Sequence, residues 1–580
     1  MVEGVRKLFG SSLIACGIVL FAFSQAIAAD APSDKIFQPQ GLNYSGIYAL
    51  KQTDPNLTGQ GVKFAVVCRS ITYIDGEPQN DYQPNINHKC FKTEQFNFYH
   101  QADLPSGISP HSTAVCSILF GEDDNAFNSR TGQFHYEGIA PQAKADVYEF
   151  WHFLTGNVFS NQPPEADVLT ADIGSQFEDW WTRGIEAMAE HHGLIVVAGI
   201  GNGADAYDPP LYPGAGANVI GVGVVDSVKT ENLSAALANF SLPHPEHSSC
   251  GPTADNRCKP DIVAAGNCLV ADANDPARYE AAGNWSSFST PIVAGTIGLL
   301  VQKAKEDPDL KAAVSPEGGN WVMKAILLNS ATKLPFWHKG RVGKEDDHNV
   351  PLDYAQGAGL LNATEAYKQL MAGQHEPGNV PIGGWDGNHL QKGTKTRNVY
   401  SFTIAQPADK IISATAAWNK HYNSVYPFEA IPAKDADLRL ELWGINPDEP
   451  NKSRLLDWSD SSTDNVEHIY QAADANYTQY EIVISYSGED NTADSETQQY
   501  GLAWNVIRET SRDNIFWYDL NADGVVSEAD VNILIYNSLM GAKSPQSYLL
   551  GDIDGDGVIG SKDLQNLLSN KNRQAGWHTN

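Results

Sequence analysis

Two groups of residues in this chain have the types and spacing for chemistry. The first centres on a serine in the run Trp285-Ser286-Ser287-Phe288-Ser289-Thr290-Pro291, ahead of the apolar stretch Ile292 to Val301. That stretch is long enough for a buried helix, and Pro291 suits a helix's first turn, where a missing N–H costs nothing. Ser287 is therefore expected just before a helix N-terminus, whose unpaired N–H groups and dipole favour a developing oxyanion. Upstream, His111 opens the helix-like stretch Ser109 to Gly121, and Asn202 sits in the glycine-rich turn Gly199 to Gly203. The second group is acidic. Asp519-x-Asn521-x-Asp523-Gly524 closes at Asp530, and Asp552-x-Asp554-x-Asp556-Gly557 closes at Asp563. Each loop offers oxygen ligands at positions 1, 3, 5 and 12, a glycine for the sharp turn, and a carbonyl at position 7 from Val525 or Val558. Hard oxygen donors at this spacing select Ca²⁺.

The elements that must hold the first group read as alternating strands and helices. Gly61 to Cys68, Ala145 to Tyr148, Ala166 to Ala171 and Leu194 to Ala198 are short β-rich runs, and residues 180–192 read as a helix. Such alternation predicts a parallel sheet covered on both faces, with reactive groups at the carboxyl ends of its strands. Cys68, Asp172 and Asn202 fall at such ends. Beyond about residue 375 the pattern turns to period two, as in Leu438 to Trp443 and Tyr480 to Ser485. With Asn398 to Ile404, Ile411 to Trp418 and Tyr500 to Ile507, these segments predict an antiparallel β-sandwich. Short apolar helices, Val531 to Met540 and Leu564 to Leu568, follow the two acidic loops.

The chain's 580 residues call for several domains, because single cores stop growing at about 250–300 residues. A formal net charge of −31 argues against nucleic acid or an anionic membrane surface as partner. Residues 1–28 read as an export signal: Arg6 and Lys7, the apolar run Leu13 to Phe23, then Ala26-Ile27-Ala28. Leu13-Ile14-Ala15-Cys16 resembles a lipoprotein box, but the apolar run continues past Cys16 and lipidation is not expected. No later segment is long and apolar enough to span a bilayer. Six cysteines remain after residue 28, which suggests disulfides in an exported chain, with Cys250–Cys258 and Cys68–Cys90 as the local pairings.

Five ordered motifs carry a resemblance: His111-Ser-Thr-x-Val, Gly138-Ile-Ala-Pro, Gly201-Asn202, Lys259-Pro-Asp-Ile-Val-Ala, and Ser286-Ser287-x-Ser-x-Pro-x-Val-Ala-Gly. Over residues 46–372 the chain resembles the subtilisin-like serine peptidases. The resemblance implies that Ser287 is the nucleophile, His111 the general base and Asn202 the oxyanion-hole side chain, acting on a polypeptide. This suits the chemistry, since a serine hydroxyl is weak until a base takes its proton and a fixed donor must hold the oxyanion. Three positions depart from the family. Cys68 stands where the family has its aspartate, Trp285 precedes the Ser-Ser pair in place of glycine, and Ser112 follows the histidine. Neighbouring parallel strands lie about 4.8 Å apart, so Asp172, one strand over, is the expected substitute acid orienting His111. The acidic loops with their trailing helices resemble a dockerin module, which implies a cohesin-type protein partner.

The sequence thus predicts an export signal over 1–28, a subtilisin-like α/β peptidase domain over 29–374, a β-sandwich over 380–510 and a dockerin-like, EF-hand-like Ca²⁺ module over 512–575. The expected protein is a secreted serine endopeptidase with an atypical acid. The alternative is a pseudopeptidase that binds and is displayed through its dockerin.

Overall fold

The computed structural model describes residues 37–574, apart from 39–41, 43–44, 69–71, 75–76, 80, 102–105, 130–131, 204–208, 226–242, 244–246, 335–336, 341–347, 488–496, 509–517, 519, 521–524, 542–552 and 554–558. The expected export signal lies outside the described residues. Seven strands form one parallel sheet: β1 (Lys63–Val67), β2 (Phe96–Tyr99), β3 (Lys144–Tyr148), β4 (Val168–Ala171), β5 (Ile195–Gly199), β6 (Ile220–Val225) and β7 (Ile262–Ala265). Their order across the sheet is β7-β6-β5-β4-β1-β3-β2. Most of these strands are buried on both faces, which explains their nearly unbroken apolar runs. In the β1–β4 pairing Val67 stands opposite Ala171, so Cys68 and Asp172 leave adjacent strands at the same edge.

Helices α1 (Pro110–Phe120) and α3 (Ser286–Glu306) pack together on one face, in a core that takes Phe64, Val66, Ile220, Val222, Ile262 and Ala264 from the sheet. Helix α2 (Trp180–His192) covers the middle of the other face, over Ala65, Val67, Leu169, Ala171, Val196 and Ala198. One expectation needs correcting. Helix α3 begins at Ser286, so Pro291 is its sixth residue and Ser287 lies inside the first turn instead of before it. A proline there has no N–H for the carbonyl four residues back, which belongs to Ser287. The hydroxyls of Ser289 and Thr290 both donate to the carbonyl of Ser286, at 3.0 and 2.7 Å, and satisfy that neighbouring acceptor from the side.

After helices α4 (Gly319–Asn329) and α5 (Ala363–Met371), two further sheets follow, of five and four strands. The strand Leu438–Ile445 alternates buried and half-buried residues along its length, as its period-two sequence requires. A second core, with Tyr400, Leu440, Ile482, Leu502 and Trp504, belongs to these sheets. The four-stranded sheet is joined closely to the parallel-sheet region: its Trp385, Ala417, Val466 and Ala503 belong to the main core. Asn329 Oδ1 accepts from Ser413 and Thr415, and the Cys258 N–H donates to Asp464 at 2.7 Å. Beyond them come α6 (Glu528–Gly541) and α7 (Ser561–Ser569).

Neither expected disulfide forms: Cys68, Cys90, Cys116, Cys258 and Cys268 are free thiols. Cys68 Sγ lies 3.8 Å from Asp172, and Cys90 Sγ lies 3.1 Å from His88 Nδ1. All five are buried and serve as small apolar residues with a weak donor.

The Lys-Pro-Asp motif acquires a physical reason. Asp261 is buried and accepts from Lys259 at 2.5 Å, Lys324 of α4 at 2.9 Å and the Gly221 N–H of β6 at 2.7 Å. Burial pushes its carboxyl up, but the two ammonium groups outweigh that and hold it below the usual carboxylate range. Asp261→Asn would leave two buried ammonium groups without a counter-charge, at a cost of about 3–5 kcal/mol. Urea unfolding should show that loss as a lowered midpoint with little change in slope.

Candidate active site

Each candidate residue is placed by a different element. Ser109 caps α1 by accepting from the Ser112 N–H at 3.1 Å, and Pro110 fills the first helical position, which fixes His111 in the first turn. Asn202 follows β5 through a turn in which Gly201 has φ +112°, a value that favours glycine. Ser287 is the second residue of α3.

The strongest link in the site joins Asn202 to α3. The Ser286 N–H donates to Asn202 Oδ1 at 2.7 Å, and the Ser286 hydroxyl donates to the same oxygen at 2.9 Å. A backbone N–H can only donate, so the bonded atom of Asn202 must be its oxygen. The NH₂ end of the amide is left for another acceptor, one residue from Ser287. The Gly201 N–H in turn donates to Ser286 Oγ at 3.3 Å. Gly199 allows this approach: a Cβ there would come within 3.0 Å of Ser286 Oγ and 3.2 Å of Thr290 Oγ1. Ser286, which sequence reading treats only as the partner of Ser287, is thus the residue that orients Asn202.

His111 is half-buried and lies beside Phe288, ring centroids 6.1 Å apart. Among the described residues no hydrogen bond joins it to Ser287; in unliganded enzymes such bonds are often long and tighten with substrate. Trp285, 51% exposed, does not close over the serine, because its indole folds back against Gly283.

The expected substitute acid is not in place. Asp172 Oδ2 bonds Thr170 at 3.4 Å and takes the Cys68 contact, while the buried Oδ1 has no hydrogen-bond partner and so makes none to His111. Register put Asp172 beside the family position, but its side chain turns to the thiol and the Thr170 hydroxyl. Burial pushes the Asp172 carboxyl well above the carboxylate range, against the pull of its bonds to Thr170, Cys68 and Thr290. Burial, then the Asp172 charge and Cys116, likewise push the Cys68 thiol well up. At the edge where the family keeps its acid, burial disfavours the charged form of both groups.

Of the second group of residues, Val525, Asp530 and Asp563 are described, whereas Asp519, Asn521, Asp523, Asp552, Asp554, Asp556 and Val558 lie outside the described residues. The two closing aspartates are fully buried and bonded alike. Asp530 accepts from the N–H groups of Leu520 and Ser527, both at 2.6 Å, and Asp563 from those of Ile553 and Gly560, both at 2.7 Å. In both loops these donors are the second and ninth residues. Asp530 Oδ2 also accepts from the Ser527 hydroxyl at 3.2 Å. The shared backbone bonds fix the two closing carboxylates in the same place in their loops, which fits a position-12 cation ligand.

With the sheet, the helix-start serine and the Asn202 pair in view, the family is clear. The model of the Subtilase family matches residues 59–359, more than half of the chain, and the protein belongs to that family of serine peptidases. It is 28% identical over 181 residues to the subtilisin-like protease SBT6.1 of Arabidopsis thaliana, covering 31% of this chain and 14% of that protein. It is 32% identical over 125 residues to the C5a peptidase of Streptococcus pyogenes, covering 21% and 10%. To pyrolysin of Pyrococcus furiosus it is 24% identical over 298 residues, covering 44% and 19%. The chain therefore spans less than a fifth of each of these relatives. The solved protease domain of a PatA mutant overlaps 55% of this chain and 98% of its own, at 19% identity and a TM-score of 0.35.

The raised pKa of Asp172 fixes a sign. Above the unfolded carboxyl's pKa of about 3.9, the native state holds a proton that the unfolded chain has released. Stability therefore falls as pH rises through that window toward the folded pKa. Asp172→Asn cannot ionise and escapes this loss. Thermal melts from pH 4 to 8 should show the variant folded, with a flatter profile, gaining on wild type as pH rises.

Proposed function

We propose that this chain is a secreted serine endopeptidase in which Ser287 attacks the peptide carbonyl, His111 takes its proton and the Asn202 amide holds the oxyanion. The observation that carries this reading is the pair of hydrogen bonds from Ser286 to Asn202 Oδ1, which leaves the amide NH₂ as a donor next to the helix N-terminus that carries Ser287. Cys68 stands where the family has its acid, so His111 acts here without it. Exchanging that acid in one well-studied triad lowers turnover by ~10⁴, so slow turnover is the expected signature. A second reading has an observation of its own: Asp172 turns to Cys68 and Thr170 and not to His111, which also suits a pseudopeptidase that holds a polypeptide without cutting it. A fluorophosphonate probe separates the two. It should label wild type and not Ser287→Ala, and Asn202→Ala should slow labelling by about 10²–10³. Wild-type protein that resists the probe at high concentration would leave the binding reading.

The C-terminal pair of loops is read as a Ca²⁺ module of dockerin type that docks a cohesin-like protein, and the β-rich sheets, which precede it in the chain, as a β-sandwich. The matched bonding of Asp530 and Asp563 supports two equivalent cation sites. Terbium luminescence on the full chain should report two sites. It should fall by about half in Asp530→Ala or Asp563→Ala and vanish in the double variant, because a position-12 carboxylate is the loop's closing ligand.

A further inference from the structure

The two faces of the central sheet are closed differently. Over its middle strands the second face lies under α2, but α2 does not reach β6 and β7. The residues of that face at the edge are Val225, Val263 and Ala265, which alternate with Val222, Ile262 and Ala264 of the first face. All three are buried. They belong to an apolar cluster with Leu334 and Leu360, and the rest of that cluster comes from the end of the chain: Tyr518, Leu520, Val526, Leu534, Ile553 and Leu567. An apolar edge of a covered parallel sheet needs a lid, since unsealed it would leave several large side chains in water at about 25 cal/mol per Å².

The same edge leads to the active site. Gly266 directly follows β7, and a Cβ there would lie 3.0 Å from the carbonyl oxygen and 3.1 Å from the nitrogen of Trp285, the residue before Ser286. The Val224 N–H of β6 donates to Ser248 Oγ, and the Ser249 N–H donates to the Gly201 carbonyl at 3.1 Å. The carboxyl ends of β6 and β7 thus buttress both partners of the Ser286–Asn202 link.

We propose that the C-terminal module is an intramolecular brace: it seals the open face of β6 and β7 and so fixes the strand ends on which the oxyanion donor is mounted. The module is then part of the peptidase fold and not a freely tethered plug. Its own helices show the division of faces. Leu534 and Leu567 are buried, while Ile535, Leu539 and Leu568 are about half or more exposed and remain available to another protein.

Hydrogen exchange on the full chain tests this without reference to catalysis, so it stands apart from the peptidase reading. Leu534→Asp with Leu567→Asp places two carboxylates in the shared cluster. Exchange should rise in Ser561–Ser569 and, by about tenfold or more, in Ile220–Val225 and Ile262–Ala265, while Lys63–Val67 keeps its protection. Leu568→Asp, one residue away on the exposed side, should leave all of these unchanged. Raised exchange in the module with edge strands like wild type would overturn the proposal. So would a module that stays protected, since its buried leucines would then not be core. If the double variant is insoluble, wild-type protein in sub-denaturing urea separates the same outcomes. The module and the edge strands should open together with one urea dependence, and opening of the module alone overturns the brace.

Discussion

A single buried carboxylate holds the architecture to one arrangement. Asp261 sits at the start of the edge strand β7, yet its two ammonium partners come from its own loop and from α4, and a third donor comes from β6. Charges this deep in the protein must meet at hydrogen-bonding distance or not be buried at all. The positions of the edge strands and of α4 are therefore set jointly. Because α4 is also the helix on which the later four-stranded sheet rests, through Asn329 and the packing of its Trp321 and Val322, the constraint reaches well beyond the parallel sheet. The Lys-Pro-Asp motif is a structural device, and the catalytic region inherits its rigidity from it.

The active site divides into two unequal halves. On one side Asn202 Oδ1 is held by two hydrogen bonds from Ser286, whose Oγ accepts from the Gly201 N–H. On the other, the thiol of Cys68 and the carboxyl of Asp172 are buried against each other beside Thr170. Burial there disfavours the charged form of Asp172. The proposed oxyanion donor is thus firmly mounted, while no carboxylate oxygen of Asp172 is bonded to His111.

The sheet is legible in the sequence because parallel strands buried on both faces leave unbroken apolar runs bounded by glycine, and α2 is bounded by its Asp179 cap and Gly193. The start of α3 is not, because a proline reads as the mark of a first turn, whereas Pro291 is the helix's sixth residue. The adjacency of Cys68 and Asp172 follows from strand order alone. The direction in which Asp172 turns does not, because it depends on Thr170, Cys68 and Thr290, brought together from three segments. The pairing of Asp261 with Lys324 spans 63 positions and leaves no local pattern. The role of Ser286 is hidden for a plainer reason: next to a serine with an obvious part, its own hydroxyl looks redundant.

The thiols bear on what redox chemistry could do to the folded molecule. Cys68 and Cys90 end packed against an aspartate and a histidine and not against each other. A covalent bridge between them would trap the first strand away from its neighbours. The sulfur is sheltered by the same apolar strands and helices that make the core. A reductant therefore finds no covalent link among the described cysteines to cut, and the fold should withstand it.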